Sequence, residues 1–258
     1  MLAWALIVGV SFGASLLTFF AGFGLGTLLL PVFALFFPAE TALLATAIVH
    51  LTNNLFKLGL IHRHIAFDVL WRFGLPAMAA ATLGAWLLLR LAGLAPLATW
   101  ELAGATFEVR PAGLVIGFLI VAFAVRELFD LKRETGWPRR WLSVGGLISG
   151  FFGGLSGHQG ALRSAFLVGA GLSREGFIAT GVAIAVLVDI TRLGQYFAGL
   201  DQLAAEVPRG EVVAATLAAF AGAYIGRRLL TKIRVQTLYR FVGTLLIVAG
   251  IAMAAGLI

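Results

Sequence analysis

An apolar stretch over residues 40–60 carries four polar side chains, His50, Asn53, Asn54 and Lys57. Their spacing of i, i+3, i+4 and i+7 puts them on one face of a helix. A second apolar stretch, 174–197, carries Asp189, Arg192 and Gln195, again close to one face. Polar groups in hydrocarbon are costly unless satisfied, so both faces should turn toward a bundle interior or a wet cavity. The chemistry on offer is attraction of an anion by Lys57 and Arg192, and carriage of a proton by Asp189 or His50. Blander roles fit the same residues. Lys57 and Arg192 lie near the ends of their stretches, where a long basic side chain snorkels to the interface. Asp189 and Arg192 are spaced for an i,i+3 ion pair. His50 suits a satisfied buried histidine, and Asn53 and Asn54 suit hydrogen bonds between helices.

Two glycine-rich breaks form a second constellation: Ala21-Gly22-Phe23-Gly24-Leu25-Gly26, and Gly153-Gly154-Leu155-Ser156-Gly157-His158-Gln159-Gly160. Glycine lets the backbone leave helical geometry and approach a ligand closely. New helices are expected near Thr27 and Ala161. The start of a helix offers unpaired N–H groups and a partial positive charge, which together suit an oxyanion. Thr27 and Ser164 would add hydroxyl donors, and His158, Gln159 and Arg163 side-chain donors. The alternative is that the glycines only permit tight helix packing. The expected anion-binding set is Gly24, Gly26, Thr27, His50, Asn53, Asn54, Lys57, Gly157, His158, Gln159, Arg163, Ser164 and Arg192. Asp189 and His50 are the expected proton-coupling groups.

The elements that must position these residues belong to a membrane protein. The 258 residues are 60% hydrophobic and 12% charged, with a mean hydropathy of +1.00; a soluble domain carries about 25% charged residues. Ten apolar segments are expected, at 2–20, 27–37, 40–60, 69–91, 111–130, 141–156, 161–172, 174–197, 209–229 and 237–257. By length, six or seven suffice to cross a bilayer, since about 20 residues are needed. Segments 27–37 and 161–172 are too short and read as half-helices or re-entrant pieces. The first segment has no basic flank and reads as part of the mature chain.

The chain contains no cysteine, which excludes disulfides and thiol chemistry. No His-Glu-x-x-His, paired-carboxylate or P-loop motif occurs. Gly154-Leu155-Ser156-Gly157-His158 lacks the spacing of a nucleophile elbow. Neither an enzyme nor a cofactor is therefore expected. The net charge of +7 sits in short connections rather than in a nucleic-acid footprint.

The two halves repeat one another. Glu40, Lys57 and Gly59 correspond to Glu175, Arg192 and Gly194 at a single offset, and Gly84-Ala85-Trp86 echoes Gly222-Ala223-Tyr224. Arg126, Lys132, Arg133, Arg139 and Arg140 mark one basic connection, and Arg227, Arg228, Lys232 and Arg234 another; both are expected in the cytoplasm. The acid-bearing connections 101–110 and 201–211 then lie outside, as do both termini. This orientation makes the halves run in opposite directions, as in the inverted repeats of secondary transporters. The expected organisation is a first transmembrane repeat over 1–130, a basic cytoplasmic linker over 131–140 and a second repeat over 141–258, in an all-α polytopic membrane protein. The oligomeric state is not legible.

Gly22-Phe23-Gly24-Leu25-Gly26 followed by Leu30-Pro31, the duplicated unit and the basic central loop together resemble the sulfite exporter TauE/SafE family of membrane transporters. The second half differs from that pattern in carrying Ser156, His158 and Gln159 where the family more often has glycine. The resemblance implies a sulfur oxyanion or organosulfonate substrate, such as sulfite, thiosulfate or sulfoacetate. The residues themselves argue for a small anion with several oxygens, with protons as the coupling ion. Two other classes fit the same sequence: an anion channel, and a membrane subunit that hands substrate to a partner.

Overall fold

The computed structural model describes residues 2–18, 25–129, 136–199, 207–229 and 235–258. Among them are ten α-helices, one for each apolar segment: α1 (Leu2–Thr18), α2 (Leu25–Ala34), α3 (Ala39–Ile61), α4 (Phe67–Ala92), α5 (Pro111–Phe129), α6 (Leu142–Ser156), α7 (Gly160–Leu167), α8 (Arg174–Gly199), α9 (Arg209–Leu229) and α10 (Val235–Ala254). The chain is a polytopic helical membrane protein. Leu83, Phe118, Leu217 and Val248 are each more than 60% exposed, an arrangement that lipid tolerates and water does not.

Among the described residues three helices have both the length and the composition to cross a bilayer, those beginning at Ala39, Phe67 and Arg174. Leu2–Leu16, Pro111–Arg126 and Gly243–Ala254 are shorter apolar stretches among those residues. α6 ends at Ser156 in a left-handed Gly157 cap after 15 residues, and α9 holds Arg209, Glu211, Arg227 and Arg228 in its end turns.

One element was not foreseen. The connection read as an acid-bearing loop contains an antiparallel hairpin, β1 (Ala98–Leu102) and β2 (Ala105–Val109). Ala103 and Gly104 both have positive φ, 50° and 83°, the backbone a two-residue hairpin turn requires. Trp100 and Phe107 pair across the strands, with ring centroids 5.1 Å apart. Five-residue strands are too short to register as apolar segments, which hid them.

Helix direction follows from which residues face one another. Gly146, Gly150 and Gly154 of α6 lie on Phe73, Ala77 and Ala81 of α4, so these helices run parallel. Trp4, Phe12 and Leu16 of α1 lie on Gly210, Gly222 and Gly226 of α9, also in parallel. Gly113, Gly117 and Leu128 of α5 meet Met253, Gly250 and Gly243 of α10 in the reverse order. Helices α5 and α10 are equivalent in the repeat, and they are antiparallel. The two-fold that exchanges the halves must then lie across the helix axes, which is inverted topology. One pair of corresponding glycines packs alike. Gly84 packs on the Phe151 carbonyl and Leu155 amide, and Gly222 packs on the Phe12 carbonyl and Leu16 amide.

The same directions sort the charges. His62, Arg63, His64, Arg72, Arg126, Arg139, Arg140, Arg174, Arg227 and Arg228 share one face, where Arg139 pairs with Asp68. The hairpin lies at the opposite face, where Glu40, Glu101, Glu108 and Glu211 are mixed with Arg90, Arg110 and Arg209. Both ends of the chain are there too: Trp4 packs on Gly210, and the Trp100 indole donates to the Ala255 carbonyl at 2.8 Å. Lys132, Arg133, Asp201, Lys232 and Arg234 lie outside the described residues.

Candidate functional site

The two short helices begin at mid-height and leave in opposite directions. α2 has 10 residues and α7 has 8, about 15 Å and 12 Å at 1.5 Å per residue, half of a hydrocarbon core about 30 Å thick. α2 starts with Gly26 against His50, the middle of α3, where a Cβ would sit 3.3 Å from the imidazole Cδ2. It then runs toward the hairpin face. α7 starts just after Gly157, which lies beneath Arg192 of α8. It runs toward the basic face, bringing Arg163 and Leu167 to Gly181 and Ala165 to the Trp137 amide.

A chain of polar contacts joins these two starting points. His50 Nδ1 donates to Asp189 Oδ2 at 2.6 Å, and Asn54 Nδ2 donates to the same oxygen at 3.2 Å. Asp189 Oδ1 receives Arg192 Nε and Nη2, each at 3.0 Å. Arg192 Nη1 then reaches Gly157, where a Cβ would stand only 2.5 Å from it. Gly157 has φ of +79°, a conformation glycine adopts freely, and the missing side chain is what admits the guanidinium.

Asn54 and Asp189 occupy equivalent positions in the two repeats, so their hydrogen bond lies on the pseudo-two-fold. Lys57 and Arg192 are the equivalent pair one turn further on. Arg192 turns back to its own Asp189 and to Gly157, while Lys57 lies near enough to Arg163 to be repelled by it. Snorkelling does not describe either residue, since Lys57 is 4% and Arg192 1% exposed.

Asn53 is buried and accepts from the Ser15 hydroxyl of α1 at 3.1 Å. His158 stacks on Phe123 of α5, with centroids 6.2 Å apart. Gln159 is held through its backbone carbonyl, which accepts from Ser149 Oγ. Arg163 is buried and lies within the attraction of Asp189. Thr27 and Ser164 are half-buried in the first turns of their helices, and the described hydrogen bonds of the cluster leave both out. Gly24, with Gly22 and Phe23, lies outside the described residues.

Three participants were missed by sequence reasoning. Ser15 and Ser149 are single hydroxyls in apolar helices, a weak signal. Tyr196 was legible: it follows Asp189 and Arg192 at i+7 and i+4 on one face. Its hydroxyl donates to the Gly154 carbonyl at 2.5 Å and ties α8 to the last turn of α6.

The charged side chains buried among the described residues are Lys57, Arg163 and Arg192 against Asp189. Cations held in a bundle interior at this depth attract an anion strongly, because little water screens them. Among the described residues no group of His, Asp and Glu is large enough to hold a metal ion. Residues 7–253 match the family described as Sulfite exporter TauE/SafE. No curated protein and no solved structure matches the chain.

Proposed function

We propose, starting from a chain that belongs to the sulfite exporter TauE/SafE family of transporters, that it carries a small sulfur oxyanion or organosulfonate across the cytoplasmic membrane. Sulfite, thiosulfate and sulfoacetate represent the class. The mode is secondary transport coupled to protons. The observation that supports this most is the meeting of two half-helix starts at mid-height, with Lys57, Arg163 and Arg192 buried around them and Asp189 as the buried acid. Helix starts and cations together favour an oxyanion. The basic face is cytoplasmic by the charge rule, which puts the hairpin and both termini outside.

Proton coupling is assigned to the His50–Asp189 pair. An anion that draws on Arg192 competes with Asp189 for it, and a carboxylate losing a cationic partner holds a proton more readily. Sulfite flux into liposomes containing the purified protein, with and without a pH gradient, tests the reading. Saturable flux that follows the gradient supports it, and Asp189→Asn should then transport without regard to the gradient. Conductance without saturation would indicate a channel. No binding by the isolated protein, and no effect of Arg163→Ala or Lys57→Ala, would indicate a subunit serving a partner.

A further inference from the structure

Around the turn that leads into α7 lie three buried side chains with polar atoms left unpaired: Arg192 Nη1 from α8, His158 Nε2, and both Nε2 and Oε1 of Gln159. Arg192, His158 and Gln159 are 1%, 4% and 1% exposed. Buried polar atoms are nearly always paired, so each unpaired one implies a missing partner. Their donor and acceptor roles can be worked out.

His158 Nδ1 lies 2.9 Å from the Ser156 carbonyl. A carbonyl only accepts, so Nδ1 carries the proton. The Ser156 hydroxyl, 3.1 Å from Nδ1, already donates to the Phe152 carbonyl and competes for nothing there. In the neutral ring Nε2 is then a lone pair, an acceptor. The Gln159 amide presents one acceptor and two donors, and because both its ends are unpaired this holds whichever way the amide is turned. Arg192 Nη1 supplies charged donors, its Nε and Nη2 being taken by Asp189. The cluster therefore offers donors for an oxyanion and, on two consecutive residues, two acceptors that a bare oxyanion cannot satisfy.

We propose that this cluster is a specificity subsite for anions that bring their own hydrogen-bond donor: a protonated oxyanion, or a sulfonate bearing a hydroxyl. Arg192 and the Gln159 amide N–H groups take the charged oxygens, and one of the two acceptors, His158 Nε2 or Gln159 Oε1, takes the donor. An anion without a donor leaves those two acceptors buried and unpaired, which is where discrimination arises. The proposal rests on the transport reading above and names the substrate feature which that site selects.

Two sulfonates differing in one hydroxyl, 2-hydroxyethanesulfonate and ethanesulfonate, test it by calorimetric titration of the purified full chain. The hydroxylated anion should bind about tenfold or more tightly, since an unpaired buried polar group is worth that much. His158→Phe and Gln159→Met should each narrow the ratio, mainly by weakening the hydroxylated ligand. Equal binding of the two anions by the unaltered protein would overturn the subsite and leave the transport reading standing. Binding of neither, with sulfite also silent, would overturn both. The comparison of ligands on the unaltered chain decides the matter even where a variant fails to fold.

Discussion

The two short helices, α2 and α7, begin among different chemistry. The first, α2, has Gly26 against an imidazole that faces an acid, His50 on Asp189. The second, α7, begins with a guanidinium laid over Gly157 and with His158, Gln159 and Arg163 buried around it. A duplication guarantees matching helix positions, because the seams between helices are repeated. It does not guarantee matching side chains, because each copy accepts substitutions separately. The scaffold is thus nearly symmetric while the charges are not. Asp189 and Asn54 show this best: equivalent by position, hydrogen-bonded to each other, and one of them charged.

The largest effect expected from breaking that asymmetry is at Asp189. Asp189→Asn leaves Arg192 buried without a counter-charge, which costs about 3–5 kcal/mol. Asn54→Ala, at the equivalent position, removes a hydrogen bond worth about 1 kcal/mol. Thermal unfolding in detergent should separate the two clearly; equal losses would mean that the charge on Asp189 is not what matters.

The seams come next. Gly154→Ala drives a Cβ into the Ala81 carbonyl, and forced repacking of this kind costs about 1–3 kcal/mol. Gly13→Ala meets nothing within 4 Å and should leave the melting temperature unchanged or slightly raised. A drop for Gly13→Ala as large as for Gly154→Ala would contradict the described helix pairing.

The breaks themselves can be compared directly. Gly157→Ala combines an unfavourable positive φ with displacement of Arg192, a penalty of about 1–2 kcal/mol for the backbone alone. Gly26→Ala asks a histidine ring to give by a few tenths of an ångström and should change stability by under about 0.5 kcal/mol. Anion affinity should fall for the first and hold for the second. Tyr196→Phe removes one hydrogen bond to the Gly154 carbonyl, a loss of about 0.5–1.5 kcal/mol. If it also weakens anion binding, Tyr196 positions Arg192 as well as α6.

Much of this was legible in the linear order of residues. The helices α1 to α10 start and stop within a few residues of the apolar segments, because hydrophobic length is a local property that lipid reads directly. The correspondence of Gly84 with Gly222 was legible too, since a close backbone approach demands glycine wherever it recurs. The hairpin escaped because strand pairing over five residues leaves little trace in hydropathy. Tyr196 escaped although its spacing placed it on the polar face, because a single tyrosine in an apolar helix reads equally well as packing.

The amino-acid order by itself determined the membrane class, the ten helical segments, the opposed halves and the excess of buried positive charge. All of these depend on composition, periodicity and offset along one chain. Only the tertiary structure decided that Asp189 is shared by His50, Asn54 and Arg192, that Arg192 reaches over Gly157, and which atoms of His158, Gln159 and Arg192 remain unpaired. Such pairings depend on how far one helix slides and turns against another. A shift of one residue rotates a side chain by about 100° and moves it about 1.5 Å, so no local pattern can specify them.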